Sequence, residues 1–236
     1  MVGWDATPVR DRWHEPGPPW SYARRARVRL RRVSSALDLG TGGGELLASL
    51  APLPRRTYAT EGYAPNVPVA RHRLVPLGVR VLRANASRHL PLPDASVELV
   101  LDRHEAFDPS EVRRVLAPGG TFLTQQVGRS NYREIARAFG TSAEPPINRV
   151  ESARALADEI AAAGLEVIER REARYRASFR DVGAVVWFLR FAPWEVPGFS
   201  VDRDRAALRR IDRTIRSVGR FSLTGHRLLV EARRPR

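Results

Sequence analysis

The sequence contains no cysteine and no lysine, and its single methionine is Met1. Without cysteine there is no disulfide framework, zinc–thiolate site, iron–sulfur cluster or thiol nucleophile to consider. Without lysine, the phosphate-cradling loop that ends in Gly-Lys-Ser/Thr is excluded. Long apolar runs are missing as well. No segment reaches the roughly 18 consecutive apolar residues of a membrane span, so no membrane partner is expected. The opening residues MVGWDATPVRDRW hold none of the apolar stretch of a secretory signal, which makes a cytoplasmic location the default. Internal repeats and low-complexity tracts are absent.

What is present is an ordinary globular balance. Of 236 residues, 43% are hydrophobic and 28% charged, which rules out disorder as the main state. The length fits one domain with room for an inserted cap. Forty basic residues against 26 acidic ones leave a net charge of +14. Such an excess suits a nucleic acid, an anionic membrane or an acidic ligand. Every basic residue is arginine, however, which reads as a coding bias toward GC-rich codons as much as a polyanion footprint. The arginines are also scattered, with only short doublets such as Arg24-Arg25, Arg31-Arg32, Arg209-Arg210 and Arg233-Arg234. His14, His72, His89 and His226 have no metal-ligand spacing with one another or with carboxylates, and no metal is expected.

Residues 1–34 read as a helical and aromatic leader with three tryptophans, Trp4, Trp13 and Trp20, and a Pro-Gly-Pro-Pro break at 16–19. A short helix is predicted from about Ser21 to Arg32. Short apolar runs then alternate with helical ones. Strands are predicted at 35–39, 56–61, 79–84, 97–102 and 121–126, and helices at 45–50, 66–76 and 109–116. Pro118-Gly119-Gly120 stops the last of these helices. A further helix at 151–163, a strand at 165–172 and a closing strand at about 221–232 complete the core. The alternation predicts a parallel α/β sheet with right-handed crossovers. Residues 177–219 break it with an aromatic-rich stretch that contains Trp187 and Trp194. They read as a cap inserted before the last strand of a core spanning 35–236.

The chemistry starts at Gly40-Thr41-Gly42-Gly43-Gly44, between a strand and a helix. Glycines there let the backbone approach a ligand, and the helix N-terminus favours negative charge. A dinucleotide fingerprint needs Gly-x-Gly-x-x-Gly. Gly40 and Gly42 fit it, but the third position is Glu45, whose charge would repel a pyrophosphate.

The segment ALDLGTGGGELLASL resembles the first motif of class I S-adenosylmethionine (SAM)-dependent methyltransferases. Later stretches resemble the family in order and spacing. Glu61-Gly62 closes the second strand, Asn85-Ala86 follows the third, and LAPGGTF precedes the fifth. The resemblance covers about 35–126 firmly. It implies a Rossmann-like, doubly wound, mostly parallel seven-stranded sheet with helices on both faces and an antiparallel last strand. It further implies SAM as cofactor and S-adenosylhomocysteine (SAH) as product. Asp38 would accept from the cofactor ammonium, and the backbone of Gly40, Thr41, Gly42 and Gly44 would approach its methionine and ribose. Glu61 would bind the ribose diol, with Gly62 beside it. Asn85 stands where aspartate is more usual and would meet the adenine amino group, flanked by Ala86.

In an open parallel sheet the ligand lies beyond the carboxyl ends of the strands. Asp102 and Arg103 therefore belong to the expected cofactor-binding set. His104 is the candidate general base, with Glu105 or Asp102 to orient it. Gln125 and Gln126 end the fifth strand and are expected to meet a polar acceptor. Trp187 and Trp194, with the leader tryptophans, would form an apolar acceptor pocket. Arg174, Arg176 and Arg180 could meet an acidic acceptor. The Asn/Asp-Pro-Pro-aromatic motif of many DNA and protein amine methylases is missing after the fourth strand. The expected reaction is methyl transfer to an oxygen or nitrogen of a small molecule, by a monomer or homodimer. The runner-up is an rRNA or tRNA methyltransferase, and the third reading is a catalytically silent SAM-binding scaffold.

Overall fold

The computed structural model describes residues 7–141 and 150–236. Trp4 lies outside them. Eight strands form one sheet: β1 (Trp13–His14), β2 (Ser35–Leu39), β3 (Arg56–Glu61), β4 (Val79–Arg83), β5 (Val97–Arg103), β6 (Leu116–Val127), β7 (Glu166–Phe179) and β8 (Phe221–Arg233). Their order is β1-β7-β8-β6-β5-β2-β3-β4. Strands β2 to β6 pair in parallel, β8 lies antiparallel between β6 and β7, and β1 pairs antiparallel with β7. This is a Rossmann-like α/β sheet. The chain runs outward from β2 through β3 to β4, then returns to place β5 and β6 on the other side of β2. The crevice between the carboxyl ends of β2 and β5 is therefore the switch point, where such sheets bind ligands.

The helices are α1 (Tyr22–Leu30), α2 (Glu45–Ser49), α3 (Asn66–Leu74), α4 (Pro109–Val115), α5 (Arg133–Phe139), α6 (Ala153–Ala162), α7 (Val182–Phe191) and α8 (Arg205–Val218). All five residues of β2 are buried, as expected for a strand covered on both faces. Alternation sorts the sheet's side chains. Leu99, Leu101, Leu123 and Leu229 pack against Tyr22, Ala26 and Leu30 of α1. Val100, Phe122, Leu228 and Val230 face α4 and α6 instead. Ser21 caps α1 by accepting from the Arg24 amide at 3.1 Å. Arg25 and Arg29 then tie that helix to Glu169 on β7 and Glu231 on β8. No described helix is long and apolar enough to cross a membrane.

Two expectations change. The sheet has eight strands rather than seven, because the leader itself adds β1. Trp13 pairs with Phe179 and His14 with Ser178. The leader is thus pinned to the sheet edge by β1 and to one sheet face by α1. The strand expected at 165–172 runs on to Phe179, so a boundary at 177 falls inside it. Its partner β8 holds it in register from Glu166↔Arg233 to Phe179↔Phe221. Charged residues along β7 hide that length from a hydrophobicity reading. Helix α5 was not anticipated. The rest of the cap is α7 and α8, and Asp181 caps α7 by accepting from the Ala184 amide at 2.9 Å.

Candidate functional site

The glycine loop leaves β2 at Gly40 with φ 57°, and Gly42 and Gly44 also adopt positive φ. Gly44 is required by packing as well as by φ, since a Cβ there would lie 2.7 Å from Leu74 Cγ. Its role is to seat α2 against α3. A Cβ at Gly40 would run into the side chain of Glu105, so this carboxylate lies directly on the loop. Thr41 donates its amide to the Thr60 carbonyl at 2.8 Å. Its hydroxyl is buried beside the Asp38 carboxyl, whose rise in pKa it partly offsets.

Carboxylates gather around the loop. Asp38 is buried at the end of β2, and burial pushes its carboxyl up to about 7. Glu61, buried at the end of β3, accepts from the Tyr63 amide at 2.7 Å. Burial raises it too. Glu105 is pushed up to about 7, first by burial and then by the charge of Glu61. Asn85 Oδ1 accepts from the Ser87 amide at 2.8 Å, so the residue braces its own turn. Ala86 is buried in the core beside Leu90 and Val112.

The end of β5 is held by a different set of bonds. Asp102 is fully buried and faces away from the loop. Its carboxylate accepts from Thr124 Oγ1 at 2.8 Å, Gln126 Nε2 at 2.6 Å and the Glu105 amide at 3.2 Å. Gln126 Nε2 also donates to the Glu105 carbonyl at 2.9 Å. Asp102 and Gln126 are thus braces that fix the turn carrying His104 and Glu105.

His104 has φ 68°, a conformation costly for a residue with a Cβ. Gln125 fixes its tautomer. Trp20 Nε1 can only donate, and it donates to Gln125 Oε1 at 2.9 Å. The amide NH2 of Gln125 therefore faces His104 Nε2, 3.3 Å away. That nitrogen is the acceptor, and the ring proton sits on Nδ1. Burial, and then the charges of Arg103 and Arg227, push the imidazole well below its usual pKa. His104 is neutral at pH 7 with its lone pair already engaged, which weakens its claim to be a general base.

Asp38, Gly40, Thr41, Arg103, Glu105 and Gln125 open onto one cavity of about 1800 Å³. Its far end lies beneath the leader and cap, against Trp13, Tyr132, Tyr175, Phe188, Phe191 and Trp194. Trp187 is not on this wall. It stacks on Phe191 with ring centroids 4.8 Å apart and supports the wall from behind. Gly42, Gly44, Glu61, Gly62, Asn85 and Ala86 are not on the wall of this cavity.

Sequence reading missed the residues that close the far end. Glu15 of the leader binds Arg227 Nη2 and the Tyr175 hydroxyl, each at 2.6 Å. Arg227 also donates to Asn131 Oδ1. An arginine amid the apolar run of β8 was a readable signal for a buried cation, whereas nothing local marked Glu15. Arg174, singled out earlier, instead donates to Ser130 Oγ at 3.2 Å. Ser130 in turn meets Nδ1 of the buried His226, whose Nε2 reaches Glu172. Among the described residues no group of three His, Asp or Glu side chains could hold a metal ion.

Burial raises four carboxyls, Asp38, Glu61, Asp102 and Glu105, and so makes stability depend on pH. Asp38 and Glu105 hold their protons more tightly folded than unfolded, where their ordinary values are 3.8 and 4.5. The folded state therefore loses stability as pH rises from about 4 through about 7, and the loss levels off above that. Glu111 and Glu169 act oppositely. Arg114 and Arg25 hold them down to about 2, so their contribution fades below the usual carboxylate range. The ligand-free protein is expected to melt highest near pH 5 and progressively lower toward pH 8. Scanning calorimetry across that range checks this, and Asp38→Asn with Glu105→Gln should flatten the slope.

Residues 37–124 match the family model described as a methyltransferase domain. Solved structures share the whole architecture. A candidate methyltransferase of Bacillus halodurans C-125 superposes with TM-score 0.66 at 19% identity, over 91% of this chain and 98% of that one. The YcgJ protein of Bacillus subtilis gives 0.63 at 17% identity, over 91% and 98%. The cyclase SpnF gives 0.57 at 18% identity, over 95% and 86%. These identities establish the shared fold alone. No curated protein sequence matches the chain.

Proposed function

We propose that this protein transfers a methyl group from SAM to an oxygen or nitrogen of a small-molecule acceptor and releases SAH. The observation that carries the reading is the cavity. It joins the glycine loop, with its carboxylates, to an aromatic compartment roofed by the leader and cap. The residues present suit this cofactor. Asp38 offers a buried acceptor for an ammonium, Thr41 a hydroxyl beside it, and Glu61 a carboxylate for a diol. Gly62 and Asn85 stand side by side at the end of β3, where the adenine would rest. Bound there, SAM supplies an electrophilic methyl group on a sulfonium.

The chain's own task is to hold the acceptor atom in line and keep water out. Glu105 must swing off Gly40 to admit the cofactor, which places its carboxylate beside the reacting atoms. With a pKa near 7, it is the group best suited to take the proton of a hydroxyl or amine. His104, bonded at Nε2, presents Nδ1–H and positions the acceptor. Gln125 holds His104 in turn, and Trp194 flanks the acceptor compartment. An RNA acceptor has only the net charge of +14 in its favour, and the enclosed, aromatic far end suits a small molecule better. The test is transfer of labelled methyl from SAM to matched fractions of cell extract. Label in the low-mass fraction is expected. Label confined to RNA would favour the runner-up, and no label with SAH bound would favour a silent SAM-binding protein.

A further inference from the structure

The cavity is divided by charge. Asp38 and Glu105 stand at its glycine-loop end, while Arg103 and Arg227 stand on the same sheet face further along. Strand alternation explains the arrangement. Arg103 pairs with Gln125 across β5 and β6, and Val127 two residues on pairs with Arg227 of β8. The two arginines therefore project to one side.

They differ in their partners. Arg227 is neutralised by Glu15 at 2.6 Å. Arg103 has no hydrogen bond or ion pair with any described residue. Its side chain is exposed and opens onto the cavity. Burial lowers its pKa and the charge of Arg227 lowers it further, against raising effects from Tyr22, Glu15 and Tyr175. Those four neighbours belong to the leader, β7 and β8, while its charge also acts on Asp38 at the glycine loop, so the guanidinium stands between the two ends of the cavity. A guanidinium that opens onto the cavity and that no described carboxylate binds directly is placed to pair with an anionic ligand.

Other features of the far end narrow the ligand. Its walls are aromatic. Trp13 Nε1 is buried there without a hydrogen-bond partner among the described residues. Glu15 shows that a carboxylate fits this end, because it already occupies the fork of Arg227.

We propose that Arg103 is the anion-binding group of the acceptor site, and that the acceptor is an aromatic carboxylic acid. Its carboxylate pairs with the Arg103 guanidinium in the planar two-point geometry that arginine offers. Its ring packs against the aromatic wall of Trp13, Phe188 and Phe191, and a polar substituent meets Trp13 Nε1. The inference rests on the methyl-transfer reading only for calling this ligand the acceptor. The same guanidinium chemistry could serve the methionyl carboxylate of the cofactor, and the test separates the two.

The test uses the full chain, SAH, and a panel of paired probes: benzoate, phenylacetate, cinnamate and indole-3-acetate, each beside its primary amide. Thermal shift with SAH present should show acids stabilising the wild type and amides failing to. Arg103→Met should abolish the difference, and Arg103→Lys should keep part of it. Both variants should melt no lower than wild type without ligand, because the lost charge had no partner. No shift with any acid in the wild type, or an unchanged shift in Arg103→Met, would overturn the proposal. Calorimetry with SAH and with 5′-methylthioadenosine, which lacks the amino-acid end, runs alongside. If Arg103→Met weakens SAH tenfold and spares 5′-methylthioadenosine, the guanidinium serves the cofactor and the acceptor assignment falls. If wild type binds acids but not SAH, the methyl-transfer reading fails while the acid site stands.

Discussion

Asp38→Asn is expected to weaken SAH binding by about 10- to 150-fold, the equivalent of roughly 1.5–3 kcal/mol for a hydrogen bond to a charged group. The substitution keeps the size, removes the charge and replaces one acceptor oxygen with a donor NH2. Asp38 is buried, and burial is what drives its carboxyl up to about 7. The ammonium of the ligand must therefore draw the proton off Asp38 as it binds. Two consequences follow from that linkage. Wild-type affinity should rise with pH up to about 7 and then level, with a proton released on binding. The Asn variant should bind weakly with less dependence on pH over the same range. It should also melt above the wild type at pH 8, since a buried charge has gone. Lost affinity with raised stability separates a ligand-binding role from a structural one. Unchanged affinity would remove Asp38 from the site.

Arg227→Met is expected to destabilise the protein by about 3–5 kcal/mol, the usual cost of removing one partner of a buried ion pair. For a chain of this length that is a fall in Tm of the order of 10 °C. The reason lies in what is left behind. Glu15 would keep its negative charge against Tyr175 with no cation. Asn131 would lose one of the groups it accepts from. Because Glu15 lies two residues beyond Trp13 of β1, its release should also loosen the leader over the cavity. The double variant Arg227→Met with Glu15→Gln should recover much of the stability, since neither residue is then left charged and alone. A double variant as unstable as the single one would show that packing, not charge, is what Arg227 supplies.

The sheet and its ligand end were legible because their signals are local. A buried strand, a glycine loop and a following helix are written in consecutive residues. So is the Pro-Gly-Gly turn ahead of β6. The length of β7 was not legible, because its alternating arginines and glutamates look like surface until β8 is laid beside them. The roles of the end-of-strand residues were only partly legible. Asp102, Gln126 and Asn85 are the residue types a ligand needs, and here they are spent on holding turns. His104 was singled out as a base by chemistry alone. Its tautomer is set from Trp20, across 84 residues of chain through Gln125, and no spacing rule carries that information. Glu15, Tyr175 and Arg227 meet only in three dimensions, and the compartment they close was foreseen only as a pocket of tryptophans. Trp187 proved to stand behind its wall.

The central claim is that the glycine loop and its carboxylates bind the adenosyl cofactor. Calorimetric titration of the purified protein with SAH, with NADH as the control, tests it directly. The account predicts one site per chain with micromolar affinity for SAH and no heat with NADH. A folded sample that binds NADH and not SAH would contradict it.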